Sequence, residues 1–352
     1  MAVPGPVSAN RSRAVLVGII LAALLLAVIL LSAFLGQLGA TPSEVVGSLL
    51  RALGIQNPWV PDDVIDRGLW VIRFPRIVMA MVVGAALAVA GAVMQAIFGN
   101  PLAEPGVVGV SAGAALGASI AIVAGLAAFG DWTIAAMAFG GALLATLLVY
   151  GIARSNGRTE VVTLLLTGIA VNAFAGAGVA LTLFVADAAS REQIVFWQLG
   201  SLSGSQWREV LIVFVVAVVG TVLATTLGRR YDLLALGERN ARHLGVDVER
   251  LRIWSIVLVA VLTGAAVAFV GIIAFVGLIV PHIVRMVLGP SHRALIVTSA
   301  FGGALLLVIA DLLARTLVPG GELPIGLLTS LVGGPFFLVL LWQQRRRSGG
   351  WA

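Results

Sequence analysis

The chain has no cysteine and no lysine, and only 11% of its 352 residues are charged. Without cysteine there are no disulfides and no thiolate metal sites. Without lysine there is no P-loop, which needs that residue on the β- and γ-phosphates of its nucleotide. The chain is therefore no P-loop NTPase by itself. All 22 basic residues are arginine, dispersed between apolar runs rather than clustered as for nucleic acid. Of the three histidines, His243, His282 and His292, the last two stand ten apart with no carboxylate spaced with them like a ligand set, and neither a metal nor a cofactor is expected.

What is present is apolar. Sixty per cent of the residues are hydrophobic, and mean hydropathy is +1.09. Soluble domains carry about a quarter charged residues, and several charge-free runs here exceed the roughly 20 residues that cross a bilayer. The expected fold class is an all-α polytopic membrane protein. Ten candidate spans can be drawn: 14–36, 75–98, 107–130, 132–153, 161–186, 209–228, 253–270, 272–288, 294–315 and 323–342. The first is too long for a signal-peptide core of roughly 7–15 residues, so it reads as a retained span with a cytoplasmic tail, 1–13, before it. The remaining divisions are one membrane domain, 14–342, and a cytoplasmic tail, 343–352.

Arginine placement tests the count. With both termini inside and ten spans, only seven arginines fall outside: Arg51, Arg67, Arg73, Arg76, Arg191, Arg208 and Arg315. The other fifteen fall inside, the bias expected of cytoplasmic loops. Merging the seventh and eighth spans into one kinked helix through Gly271 weakens that bias. Two loops are long enough to hold structure. The outer one contains TPSEVVGSLLRALG (41–54), with a cap-like start. The inner one, 229–252, carries six arginines among Leu233, Leu234, Leu236, Ala241 and Leu244. Short amphipathic helices there would lie on the membrane or dock on a partner.

GVSAG (109–113) fits the nucleophile elbow G-x-S-x-G, which would make Ser111 catalytic. The elbow needs a preceding strand and a nearby base, and neither is evident. Gly109, Gly113 and Gly117 instead recur every four residues, lining one helix face for close packing. Intramembrane acids would point to ion-coupled transport. Asp311 is the best candidate, but Arg315 one turn on answers it as a local ion pair. Secondary transport, and least of all an intramembrane serine hydrolase at Ser111, stand as alternatives. A bundle rich in small residues, with no energy source of its own, fits a permeation core driven by a separate motor.

RFPR (73–76), VVGAALAVAGAVMQAIFGNPLAEPGVVGVSAGA (82–114), LLALGERNARHLG (233–245), FVGLIVPHIVR (275–285), HR (292–293), DLLAR (311–315) and ELPIGLLTSLVGGPFF (322–337) occur in order. Together they resemble the FecCD-type permeases, membrane subunits of ABC importers for ferric siderophores, haem and cobalamin. The resemblance implies the ABC type II importer permease fold, with ten helices and both termini cytoplasmic, in a bacterial inner membrane. It implies a second permease subunit, first of all another copy of this chain, two ATPase subunits inside and a substrate-binding protein outside. The ATPase-coupling residues would be Leu234, Ala235, Leu236, Gly237, Glu238, Arg239, Ala241, Arg242, Leu244 and Gly245. Arg73, Arg76 and Arg315 would receive acidic residues of the binding protein. Ferric siderophore ranks first as cargo, then haem, then cobalamin.

Overall fold

A computed structural model describes residues 6–36, 39–130, 132–155, 158–318 and 320–347. Helix α1 (Pro6–Phe34) is followed by α2 (Pro42–Ala52) and α3 (Asp63–Gly68), which runs through a wide π-type turn (Leu69–Arg73) into α4 (Phe74–Phe98). Next come α5 (Val110–Val123), α6 (Trp132–Ala153), α7 (Val161–Val185), α8 (Ala188–Leu199) and α9 (Trp207–Leu234). The chain then forms α10 (Glu238–His243), α11 (Val248–Val270), α12 (Val276–Leu288), α13 (His292–Thr316) and α14 (Ile325–Arg347). A two-residue antiparallel pairing, Arg154–Ser155 with Arg158–Thr159, joins α6 to α7. Helix α1 begins, and α14 ends, beyond the bounds expected for the spans; residues 1–5 and 348–352 of the expected tails lie outside the described residues.

Among the described residues, eight helices are long and apolar enough to cross a membrane. The third and eighth expected spans correspond instead to the shorter α5 and α12. At 1.5 Å per residue these reach only about 20 Å, against a hydrocarbon core of about 30 Å. Helix α11 stops at Gly271 (φ 72°), and Phe275 also turns through positive φ (68°), so the seventh and eighth spans are separate helices rather than one kinked one. The stretch between them is non-helical and adds to the length of the eighth span. The third span begins likewise with a 3₁₀ turn, Pro105–Val108, in place of regular helix.

Non-helical backbone inside a membrane protein must find partners within the protein. Pro281 lies inside α12 and has no N–H to give to Gly277, four residues back. Gln95 of α4 donates there instead, its Nε2 lying 3.2 Å from Leu278 O and 3.5 Å from Gly277 O. Asn172 of α7 serves the 3₁₀ turn in the same way, donating from Nδ2 to Gly106 O at 3.1 Å.

Helix α4 is the hub. It is buried along most of its length, whereas few of the described side chains of α1 are buried. Small residues set its contacts: a Cβ at Gly84 would lie 2.2 Å from Gly303 O on α13, and one at Gly91 only 1.8 Å from Gly277 O on α12. Loop contacts sort the helix ends. At one end Trp207 Nε1 donates to Trp70 O (2.8 Å) and Ile325 N to Gly200 O (3.1 Å). At the other, Tyr150 bonds Glu249 (3.0 Å), and Asp232 accepts from His292 N (2.8 Å). The arginine-rich segment 229–252 belongs to this second end, which is the inner one by the positive-inside bias. Thr41 caps α2 as expected, accepting from Glu44 N while Glu44 accepts from Thr41 N, the reciprocal capping box.

Candidate functional site

At the outer end the three expected arginines gather near the buried Asp311, which pairs with two of them, Arg76 and Arg315. Asp311, on α13, is fully buried. Its Oδ1 accepts from Arg76 Nε at 2.7 Å and its Oδ2 from Arg315 Nε at 3.0 Å. Arg76 also donates from Nη2 to Glu322 at 2.5 Å. Arg73 donates to the carbonyls of Ala33 and Leu35 at 2.9 Å each. Arg315 caps the same helix end through Ser32 Oγ (2.6 Å) and Leu35 O (3.1 Å). Gly36 (φ 132°) is the residue against which Arg73 and Arg315 meet; a Cβ there would sit 2.9 Å from Arg315 Nη1.

The sequence places these arginines together but does not show that they are buried. Arg73 and Arg76 are 4% and 7% exposed; Arg76 is neutralised by Asp311 and Glu322, whereas Arg73 meets backbone carbonyls only. The wide turn before α4 re-aims Arg73 inward; single π-type turns of this sort recur at functional sites. The expected Asp311–Arg315 pair is present, but Arg76 and Glu322 extend it. Glu322 opens the quoted ELPIG motif, and an acid beside outer arginines was the available signal. Asp311 is thus a bridging group between two guanidiniums, which leaves the ion-coupled reading without its acid.

At the inner end α9 continues past the membrane, turns at Ala235–Gly237 and gives α10, a short helix at the foot of α11. The apolar residues of this segment divide. Leu234 and Ala241 are buried, whereas Leu236 and Leu244, flanking α10, are each 59% exposed. Gly237 (φ 99°) and Gly245 (φ 85°) make the turns on either side of α10. Exposed Arg239 and Arg242 share its outward surface.

This knob is braced rather than loose. Glu238 accepts from Arg252 Nη2 and, at 3.3 Å, from Arg242 Nη2. Arg252, buried, also donates from Nη1 to Thr159 O at 3.0 Å. Thr159 in turn donates to Glu249 from its hydroxyl and, at 3.1 Å, from its amide. These contacts tie α10 to α11 and to the α6–α7 turn. Sequence reading missed this brace, whose members stand 93 residues apart. Beside α10, Thr159, Glu160, Glu238, Arg239, Arg242 and Arg252 border an open cleft of about 840 Å³.

The glycine motif needs one correction. Gly113 and Gly117 do line a seam: a Cβ at either would lie 2.3 Å from Gly141 O or 2.1 Å from Met137 O on α6. Gly109 instead caps α5 in a left-handed conformation (φ 86°), and a Cβ there would meet Val149 and Ala145 of α6 only at ordinary contact, 3.5 and 3.6 Å. Ser111 follows a 3₁₀ turn and not a strand, and among the described residues no histidine or carboxylate hydrogen-bonds its hydroxyl. The elbow geometry that hydrolysis would need is missing. Glu104, before that turn, has its carboxyl pushed above the usual range by burial.

Long apolar helices, non-helical breaks between them, and structured polar segments at each end define a multi-pass membrane protein. Residues 9–343 match the profile of the FecCD transport family. The hemin transport system permease protein HmuU of Yersinia pestis is 42% identical over 286 residues, covering 80% of this chain and 85% of that one. The cobalamin import system permease protein BtuC of Halobacterium salinarum is 45% identical over 279 residues, covering 79% and 74%. The vitamin B12 import system permease protein BtuC of Vibrio cholerae is 40% identical over 94% of both chains. A solved metal-chelate type ABC transporter in an inward-facing conformation superposes with a TM-score of 0.81 at 32% identity, covering 93% and 98%. The chain belongs to the FecCD transport family. It is an ABC transporter permease, a multi-pass protein of the cytoplasmic membrane.

Proposed function

We propose that the chain forms the membrane path of an ATP-driven importer for a metal chelate, paired with a second copy of itself. The relatives named for hemin and cobalamin favour those macrocycles as cargo over the ferric siderophore expected from the sequence. One observation carries the motor half of the reading: α10 is held rigidly by Glu238, Arg252 and Thr159 while Leu236 and Leu244 face outward. Exposed leucines beside a braced helix suit insertion into a groove of a partner that does work. ATPase subunits seated on α10, Arg239 and Arg242 would push α11 and the α6–α7 turn together. The permease itself contributes shape and performs no covalent step.

At the outer end, a soluble binding protein docks over the arginine cluster. Because Arg76 is already paired with Glu322, docking proceeds by exchange: an acid of the partner takes the Nη2 donor that Glu322 holds, with Arg73 and Arg315 below. Charge complementarity of this kind governs orientation and association rate more than affinity.

The test is co-purification in mild detergent with ATPase and uptake assays, for the wild type and for Leu236→Arg/Leu244→Arg. Loss of bound ATPase and of uptake, with the permease still monodisperse, is the expected result. An ATPase that stays bound, with uptake unchanged, rejects α10 as the coupling element.

A further inference from the structure

Between α9 and α11 runs an open groove of about 910 Å³ that the docking reading does not use and the coupling reading meets only at Leu244 and Gly245. Its walls are graded along the membrane normal. Toward the middle they are aliphatic: Val215, Val219 and Leu223 line it and are each about half exposed. Trp254, 66% exposed, stands lower, at the level where amphipathic rings collect in membranes. At the inner mouth stand Arg229, Arg230, Arg250 and Arg293, against one lining carboxylate, Asp247.

Asp247 is occupied with Arg250, at 3.0 Å. Arg229 and Arg230 are exposed and have no ion-pair partner among the described residues. Arg293 comes from a third helix, α13. Its stem crosses α9 at Gly228, where a Cβ would lie 2.6 Å from Arg293 Cγ, so only glycine lets that guanidinium reach the mouth. Three helices thus deliver cations to the inner end of one apolar channel.

That profile matches one amphiphile. We infer that the α9–α11 groove binds an anionic phospholipid of the inner leaflet, with an acyl chain along Val215–Leu223 and the headgroup phosphate held by Arg229, Arg230 and Arg293. Basic pockets between helices on the cytoplasmic side suit such headgroups, and arginine holds phosphate in a two-pronged fashion. Because the groove floor includes Leu244 and Val246, the bound lipid touches the segment next to α10. The inference rests on the groove alone and does not depend on the importer reading.

The full chain in mild detergent, titrated with phosphatidylglycerol or phosphatidylcholine and followed by native mass spectrometry, provides the test. Phosphatidylglycerol should be retained preferentially. Arg229→Gln/Arg230→Gln should lose that preference by roughly 25-fold, taking roughly five-fold per surface arginine, while Arg154→Gln, at the same membrane end but off the groove, keeps it. Equal retention of the two lipids, or an equal loss with Arg154→Gln, overturns the proposal. So does full competition by inorganic phosphate, which would mean that the acyl chain contributes nothing.

A second readout needs no arginine variant. Phosphatidylglycerol with brominated chains should quench the emission that is lost in Trp254→Phe, and absence of that quenching counts against the site. Finally, the cysteine-free background allows Val219→Cys. A disulfide-linked dimer formed in native membranes would show that a second copy of the chain covers the groove, and would overturn lipid occupancy.

Discussion

Replacing Arg76 by glutamine should cost this protein more in stability than in partner binding. Asp311 is completely buried and lies 2.7 Å from Arg76 Nε and 3.0 Å from Arg315 Nε. Removing one partner of a buried ion pair costs about 3–5 kcal/mol, because an uncompensated charge stays behind. Here Arg315 remains on Asp311, so Arg76→Gln should fall at the lower end, about 3 kcal/mol. Asp311→Asn should cost about 4 kcal/mol, since it leaves Arg76, Arg315 and Arg73 crowded with only Glu322 to answer them. Both changes together should cost less than their sum, with a coupling of about 2 kcal/mol, as for residues in one network. The assay is unfolding by sodium dodecyl sulfate in mixed micelles, read by helical content. If Arg76→Gln loses no more than about 0.5 kcal/mol, the level of an ordinary surface change, the buried-network account fails. A glutamate at position 76 would place a third carboxylate against Asp311 and Glu322, so it cannot serve as a docking test. Glu322→Gln can, because it frees Arg76 Nη2 while Asp311 stays paired.

Other outcomes follow from the same geometry. Gly113→Val should prevent α5 from packing on α6, since even a Cβ meets Gly141 O at 2.3 Å; loss of monodisperse protein on size exclusion is expected, and an unchanged profile would remove the seam. Gln95→Leu should destabilise by about 1 kcal/mol, the scale of one interhelical hydrogen bond in a membrane, by leaving the carbonyls before Pro281 unserved; the same unfolding titration reads it. Glu104→Gln should act through pH. Because burial raises the folded carboxyl above its unfolded value, the folded state holds that proton more tightly, and stability falls as pH rises from the ordinary carboxyl range through the folded value. The variant should therefore be more stable than wild type near neutrality and equal to it well below the ordinary range; a gain that persists at low pH would contradict the assignment.

Bilayer thickness and the positive-inside bias are properties of the chain taken in order, and so the sequence by itself determined the ten apolar spans and the sorting of Arg51, Arg67, Arg73, Arg76, Arg191, Arg208 and Arg315 to one end. The capping box at Thr41 and Glu44 is equally local. What only the tertiary structure decided are meetings between distant positions: Arg76 with Asp311, 235 residues apart, Gln95 with the carbonyls before Pro281, and Arg252 with Thr159. The same holds for the half-helices. Hydropathy reports that residues 107–130 and 272–288 are apolar, but whether they coil throughout depends on whether neighbours supply hydrogen bonds to backbone that does not. Gly109 shows the limit most simply. Its spacing from Gly113 and Gly117 is helical, yet the turn after Pro105 needs a left-handed residue there, and a lone sequence period cannot distinguish a face position from a cap.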